Sequence, residues 1–211
     1  KASQAVYKDF LDKITLIYGD ISNKKEVEAV CHNIDCAIHL AAIIPPLADE
    51  KPDLAYQVNT IGTQNLVEGL EKHSPEAFLL YSSSVSVYGD RLDDYWIKVS
   101  DPIQPSLGDE YGVTKVKAEK IIQSSHLNWS IFRLSAIVGI GNHKKTGLMF
   151  HMPVKTKMEV TTQKETSPFF CVNLAQMILV PLHQLHQICQ CIPFQLKHRL
   201  LSLMPARPLW D

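Results

Sequence analysis

The sequence predicts an α/β fold, a doubly wound parallel sheet with helices packed on it. Three observations carry that prediction. Short apolar runs alternate with longer segments of helical periodicity, as parallel strands alternate with crossover helices. The runs are almost continuously apolar, as expected of strands covered on both faces. Small and polar residues cluster where the runs end, and open parallel sheets bind ligands at the carboxyl ends of their strands.

The elements follow in order. "KITLIY" (13–18) is rich in β-branched residues and stops at Gly19-Asp20, which predicts a strand. "NKKEVEAVCHN" (23–33) places Val27, Ala29 and Val30 on a helix with Asn23 as N-cap. "CAIHLAA" (36–42) predicts a second strand, and "IIPPLADEKPD" (43–53) a loop. A long helix is expected over 54–73, with Ala55, Val58, Ile61, Leu66 and Leu70 at helical spacing. "AFLLYSS" (77–83) is a third strand, and an Asp-, Pro- and Gly-rich loop covers about 88–108. A helix over 109–125 and a strand "WSIFRLS" (129–135) complete the readable part. Beyond residue 147 the character changes: the last 64 residues hold no Gly, and from Cys171 onward Asp211 is the only acidic residue. A helix broken by Pro181 is the one element this tail suggests.

Composition narrows the function classes. The chain has 211 residues, a net charge of -1 and 45% hydrophobic residues, which suits a soluble globular protein with a substantial core. It carries no long basic run to attract nucleic acid and no apolar stretch of the roughly 18 residues that cross a bilayer. Five Cys without a disulfide-type spacing predict a reducing, cytoplasmic setting. His183, His186, Cys189, Cys191 and His198 are zinc-capable, but their spacing matches no zinc pattern, so no metal is expected.

Several residue groups have chemical potential, each ambiguous alone. Tyr111 and Lys115 stand four apart on the helix predicted over 109–125, hence side by side. A lysine ammonium there favours the phenolate and lowers a phenol pKa from its ordinary ~10. An exposed helix face offers the same pattern by chance. Ser82, Ser83 and Ser84 end the third strand, where a hydroxyl can hold a substrate oxygen or simply shape a turn. Asp20 stands at a strand end and can accept from an adenine amino group. Ala41 and Ala42 are small enough for a flat ligand to lie on the backbone. Asn59 and Gly62 share one helical turn, and a mid-helix Gly, costing about 1 kcal/mol relative to Ala, suggests close packing.

Taken in order, Asp20, the His39–Ala42 run, Asn59-x-x-Gly62-Thr63, Ser82–Ser84 with Tyr88-Gly89, Tyr111-x-x-x-Lys115 and "FRLSAIVG" (132–139) resemble an extended short-chain dehydrogenase/reductase. The resemblance is to the NAD-dependent epimerase/dehydratase branch, over roughly residues 13–170. It implies a Rossmann-like domain over 1–147, with 148–211 the remnant of a substrate lobe and an atypical tail. It implies NAD or NADP as cofactor, with Tyr111 as acid/base and Lys115 as its partner on the nicotinamide ribose. Ser84 would polarise the substrate oxygen, with Ser83 as fallback. Asp20 and Ile21 would contact adenine; Leu40, Ala41 and Ala42 would line the dinucleotide; Asn59 would sit on the cofactor side and Ser135 near the nicotinamide. The substrate would be a small molecule, by default a nucleotide sugar, and a homodimer would form through helices 54–73 and 109–125.

The family also begins with a strand, a Gly-x-x-Gly-x-x-Gly loop and a helix that hold the pyrophosphate, and this sequence contains no such loop. With its non-Met start, that implies an N-terminally incomplete version of the fold, weak NAD binding and an uncovered sheet edge. Asn173 stands where the family commonly has Asp. The alternative function is therefore a non-catalytic fragment or interaction module that keeps these residues by descent.

Overall fold

The computed structural model describes residues 15, 17–91, 96–135, 159–162 and 200–203. Its core is a five-stranded sheet built from β1 (Cys36–His39), β2 (Phe78–Ser84), β3 (Asn128–Leu134), β4 (Glu159–Thr162) and β5 (Leu200–Leu203). The spatial order is β4-β3-β2-β1-β5. β1, β2, β3 and β5 run parallel, and only β4 is antiparallel, against β3. Register sets Cys36 beside Phe78 and His39 beside Tyr81, and it sets Ser84 beside Leu134, so the ends of the three central strands face one edge of the sheet.

Among the described residues, five α-helical segments accompany the strands. They are α1 (Lys24–Val30), α2 (Leu47–Glu50), α3 (Pro52–Ala55), α4 (Gly62–His73) and α5 (Glu110–Gln123). A π-helical turn, Tyr56–Ile61, joins α3 to α4. The caps are local and polar. Asn23 accepts from the Lys25 amide, and Asp109 accepts from the Gly112 amide at 2.7 Å. Each satisfies a first-turn N–H that lacks an intrahelical partner.

One apolar core lies under α1, α4 and α5. Val27, Cys31, Leu66, Leu70, Ala118 and Ile122 meet Ala37, Leu79, Tyr81 and Ile131 of the strands. Fully burying a side chain such as Leu66 or Leu70 stabilises the fold by about 1.5–3 kcal/mol. Strand alternation sends Cys36, Ile38 and Leu80 to the opposite face, where Phe78 and Phe132 pack beside them. Gly62 is where α4 presses on the chain entering α1: a Cβ there would stand 2.7 Å from Ile21 Cγ2. The close packing read from its position in the helix is the reason it is Gly.

Five expectations change. The described part of 13–18 forms no strand; Ile17 is 66% and Tyr18 69% exposed, so no burial rewards a regular extended segment there. The second strand stops at His39, leaving Leu40, Ala41 and Ala42 irregular, and the loop over 43–53 contains α2 and the start of α3. The long helix is interrupted by the π-helical turn, a backbone detail that apolar periodicity does not encode. The sheet edge expected to be uncovered is occupied, because β5 pairs in parallel with β1 from Cys36↔Leu200 to His39↔Leu203. The helix suggested around Pro181, Asn173 and the zinc-capable cluster lie outside the described residues, as does most of 148–211.

Candidate active site

The end of β2 and the start of α5 make the site. Ser84 is the last residue of β2 and caps the 3-10 turn Val85–Tyr88, its hydroxyl accepting from the Ser86 amide at 3.1 Å and lying 3.0 Å from Ser86 Oγ. Tyr111 and Lys115 stand one turn apart on α5. α5 comes close to the 3-10 turn because residue 112 is Gly. A Cβ there would meet Ser86 O at 3.0 Å and Asp109 Oδ2 at 2.5 Å. A bulkier residue would push the first turn of α5, and Tyr111 with it, away from Ser84.

The ionisations are set by burial. Burial pushes the Tyr111 phenol up to about 12, although the Ser84 hydroxyl favours the phenolate and offsets part of that rise. Lys115 is fully buried; burial pulls it down to about 7 against the attraction of Glu119. Its ammonium donates to Ser82 O at 2.6 Å and lies 4.6 Å from the Tyr81 ring centre and 5.5 Å from that of Tyr111. The expected depression of the tyrosine pKa by Lys115 is therefore not present in this state. The ammonium is turned toward a backbone carbonyl, and desolvation of the phenol dominates.

Around this pair lies a buried polar layer. His39 Nε2 meets Thr63 Oγ1 at 2.9 Å, and burial draws the imidazole down to about 3, so the ring is neutral. Asn59, on the π-helical turn, grips the loop after β1. Its Oδ1 accepts from the Ile43 amide at 2.7 Å, and its Nδ2 donates to Ile43 O and Thr114 Oγ1. Asn59 thus ties the Leu40–Ile43 segment to α5.

Deeper still, Glu119 and Arg133 form a buried ion pair with Nη2–Oε2 at 2.7 Å. Glu119 also accepts from Ser83 Oγ at 2.5 Å, and Arg133 Nη1 donates to Tyr88 Oη at 2.6 Å. Ser83 is committed to this pair, which leaves Ser84 as the hydroxyl facing Tyr111. Sequence reading missed Glu119 and Arg133. Both left a signal: Glu119 is four residues beyond Lys115 on the same helical face, and Arg133 interrupts an apolar strand, which requires a buried partner.

The remaining predicted contacts fall into two groups: Leu40, Ala41 and Ala42 just after β1 with Ser135 just after β3, and Asp20 and Ile21, which end no strand and lead into α1. Ala41 is buried, Ala42 half-buried and Leu40 exposed just beyond β1. Asp20 is exposed, and its carboxylate accepts from the amide and hydroxyl of Ser22; Ile21 follows at the entry to α1. Ser135 follows β3, and its hydroxyl is buried with no partner among the described residues. A small-residue shelf after β1 together with an unpartnered buried hydroxyl after β3 suits a polar, flat ligand laid across the strand ends. Among the described residues there is no cluster of metal-ligating side chains, and no helix is long and apolar enough to cross a membrane.

Known proteins resemble this chain in sequence and fold. The NAD dependent epimerase/dehydratase family matches residues 1–162. D-erythronate dehydrogenase of Haemophilus influenzae is 30% identical over 95 residues, covering 45% of this chain and 29% of that protein. UDP-glucose 4-epimerase of Dictyostelium discoideum is 31% identical over 137 residues, covering 62% of this chain and 39% of that protein. Among solved structures, UDP-glucose 4-epimerase from Bifidobacterium longum in complex with NAD+ and UDP superposes with a TM-score of 0.51 at 26% identity, covering 58% of this chain and 37% of that one. The chain thus spans less than half the length of these relatives.

Proposed function

Because the chain belongs to the NAD dependent epimerase/dehydratase family, we propose that it carries the acid/base half of an NAD(P)-linked enzyme acting at a hydroxyl-bearing or carbonyl carbon. The observation that supports this best is the convergence of Ser84, Tyr111 and Lys115 at the carboxyl end of a parallel sheet, where such folds bind ligands. Bound NAD or NADP supplies the hydride acceptor or donor. Asp20, Ile21, Leu40, Ala41, Ala42, Asn59 and Ser135 hold it on this reading, with Lys115 on its ribose.

Tyr111 moves the proton. Its phenolate takes the proton of the substrate hydroxyl as the carbon is oxidised, and its phenol returns one when a carbonyl is reduced. Burial holds the phenol at about 12, so a positive charge beside it is required before it works near neutral pH. Lys115 provides that charge when its ammonium leaves the Ser82 carbonyl. Ser84 donates a hydrogen bond to the substrate oxygen and steadies charge developing on it.

The substrate is a small molecule, and a nucleotide sugar is the first class to test, since two of the relatives above are UDP-glucose 4-epimerases. The reading places the protein in the cytoplasm and pairs two copies through the helices at 54–73 and 109–125. Leu54 and Tyr56, 39% and 38% exposed, offer apolar contacts there. The test is a coupled assay of nicotinamide absorbance with a panel of nucleotide sugars and hydroxysteroids. Turnover by the wild type that falls at least ~100-fold in Tyr111→Phe supports the reading. Equal turnover by the two, or none by either, overturns it.

A further inference from the structure

We infer that Glu119 and Arg133 are positioning residues for the Ser84–Tyr111–Lys115 group: one buried ion pair fixes how far α5 slides along β2 and where the turn after Ser84 sits. The inference rests on the acid/base reading of that group. Two consecutive residues of β2 are held by two consecutive turns of α5. Lys115 Nζ takes the carbonyl of Ser82, and Glu119 Oε1 takes the hydroxyl of Ser83. The next residue, Ser84, is thereby delivered to the first turn of α5, where Tyr111 stands.

Arg133 extends the same fix across the sheet. Ser83 and Arg133 are register partners on adjacent strands, so the guanidinium reaches the same carboxylate that holds Ser83. Nε and Nη2 donate to the two oxygens of Glu119 at 3.0 and 2.7 Å, a bidentate pair that fixes the carboxylate plane. Nη1 donates to Tyr88 Oη, at the end of the 3-10 turn that Ser84 caps. Side chains of Glu119 and Arg133 are 2% and 5% exposed, so the loss of either partner leaves an uncompensated buried charge.

The pair also acts on Lys115 through space. The groups that face the ammonium are Glu119 and Tyr111 on its own helix, Tyr81 and the Ser82 carbonyl on β2, and the neutral His39 on β1. Glu119 is the one anion of that set, and it opposes the loss of the Lys115 proton that burial favours.

The test follows the pH titration of Lys115 by NMR of carbon-labelled lysine in the full chain, with Lys115→Arg for assignment. The wild type is expected to titrate at about 7. Glu119→Gln should lower that midpoint by ~1 pH unit or more. Tyr88→Phe keeps the ion pair, and so folds whether or not Glu119→Gln does. It should leave the Lys115 midpoint in place while amide exchange over Ser84–Val87 rises ~10-fold. An unchanged Lys115 midpoint in folded Glu119→Gln overturns the inference, as does unchanged exchange over Ser84–Val87 in Tyr88→Phe. Neither readout needs turnover, so a wild type without hydride transfer defeats the enzyme reading and leaves this one standing.

Discussion

At the scale of single residues, the site is a problem of buried ionisation. Lys115 has a folded pKa of about 7, well below its ordinary value of 10.5. Between those values the unfolded chain binds more protons than the folded one, so stability rises with pH through that window; below about 7 both states are protonated and the slope vanishes. Lys115→Met should remove this rise, which is ~2 kcal/mol between pH 7 and 9, as measured by urea midpoints at the two pH values. His39, drawn down to about 3 from 6.5, has the same sign at lower pH. Its share of the stability is present above 6.5 and is lost as pH falls from there toward about 3. His39→Gln should therefore flatten the acid limb of the stability curve.

At the scale of elements, the approach of α5 to the Ser84 turn decides whether three side chains form one site. Gly112→Ala should separate them, since its Cβ would lie 3.0 Å from Ser86 O and 2.5 Å from Asp109 Oδ2. The expected result is a ~10-fold or greater loss of kcat, with a change in urea midpoint equivalent to about 1–3 kcal/mol. Helix α4 offers the contrast. Leu70 is fully buried far from the strand ends, and Leu70→Ala should cost about 2–5 kcal/mol in denaturant unfolding while the catalytic constants of the surviving folded protein stay unchanged. The difference between the two variants separates a packing role from a siting role.

At the scale of the whole molecule, the sheet depends on a strand from far along the chain. β5 covers β1 in parallel, some 160 residues away in sequence. Removing residues 200–211 should leave the row of backbone N–H and C=O groups on β1 unpaired and open to edge-to-edge pairing. Size-exclusion chromatography should then show larger species, and β1 amides should exchange faster. A truncated chain that keeps the wild-type elution volume and β1 protection would show that β5 is dispensable for the edge.

The sequence by itself determined the alternation of strand and helix, the N-cap Asn23 and the placing of Ser84, Tyr111 and Lys115 at strand end and helix start, because apolar period and capping chemistry are local properties. Only the tertiary structure decided the rest. It showed that residues 15, 17 and 18 gain no strand partner while 200–203 does, which depends on pairing between distant segments. It gave Ser83 to Glu119 and left Ser84 for Tyr111, which depends on the register of β2, β3 and α5. It also raised the Tyr111 phenol where the sequence expected Lys115 to lower it, because a pKa inside a protein is set first by how completely water is excluded, and the Lys115 ammonium finds its acceptor in the Ser82 carbonyl.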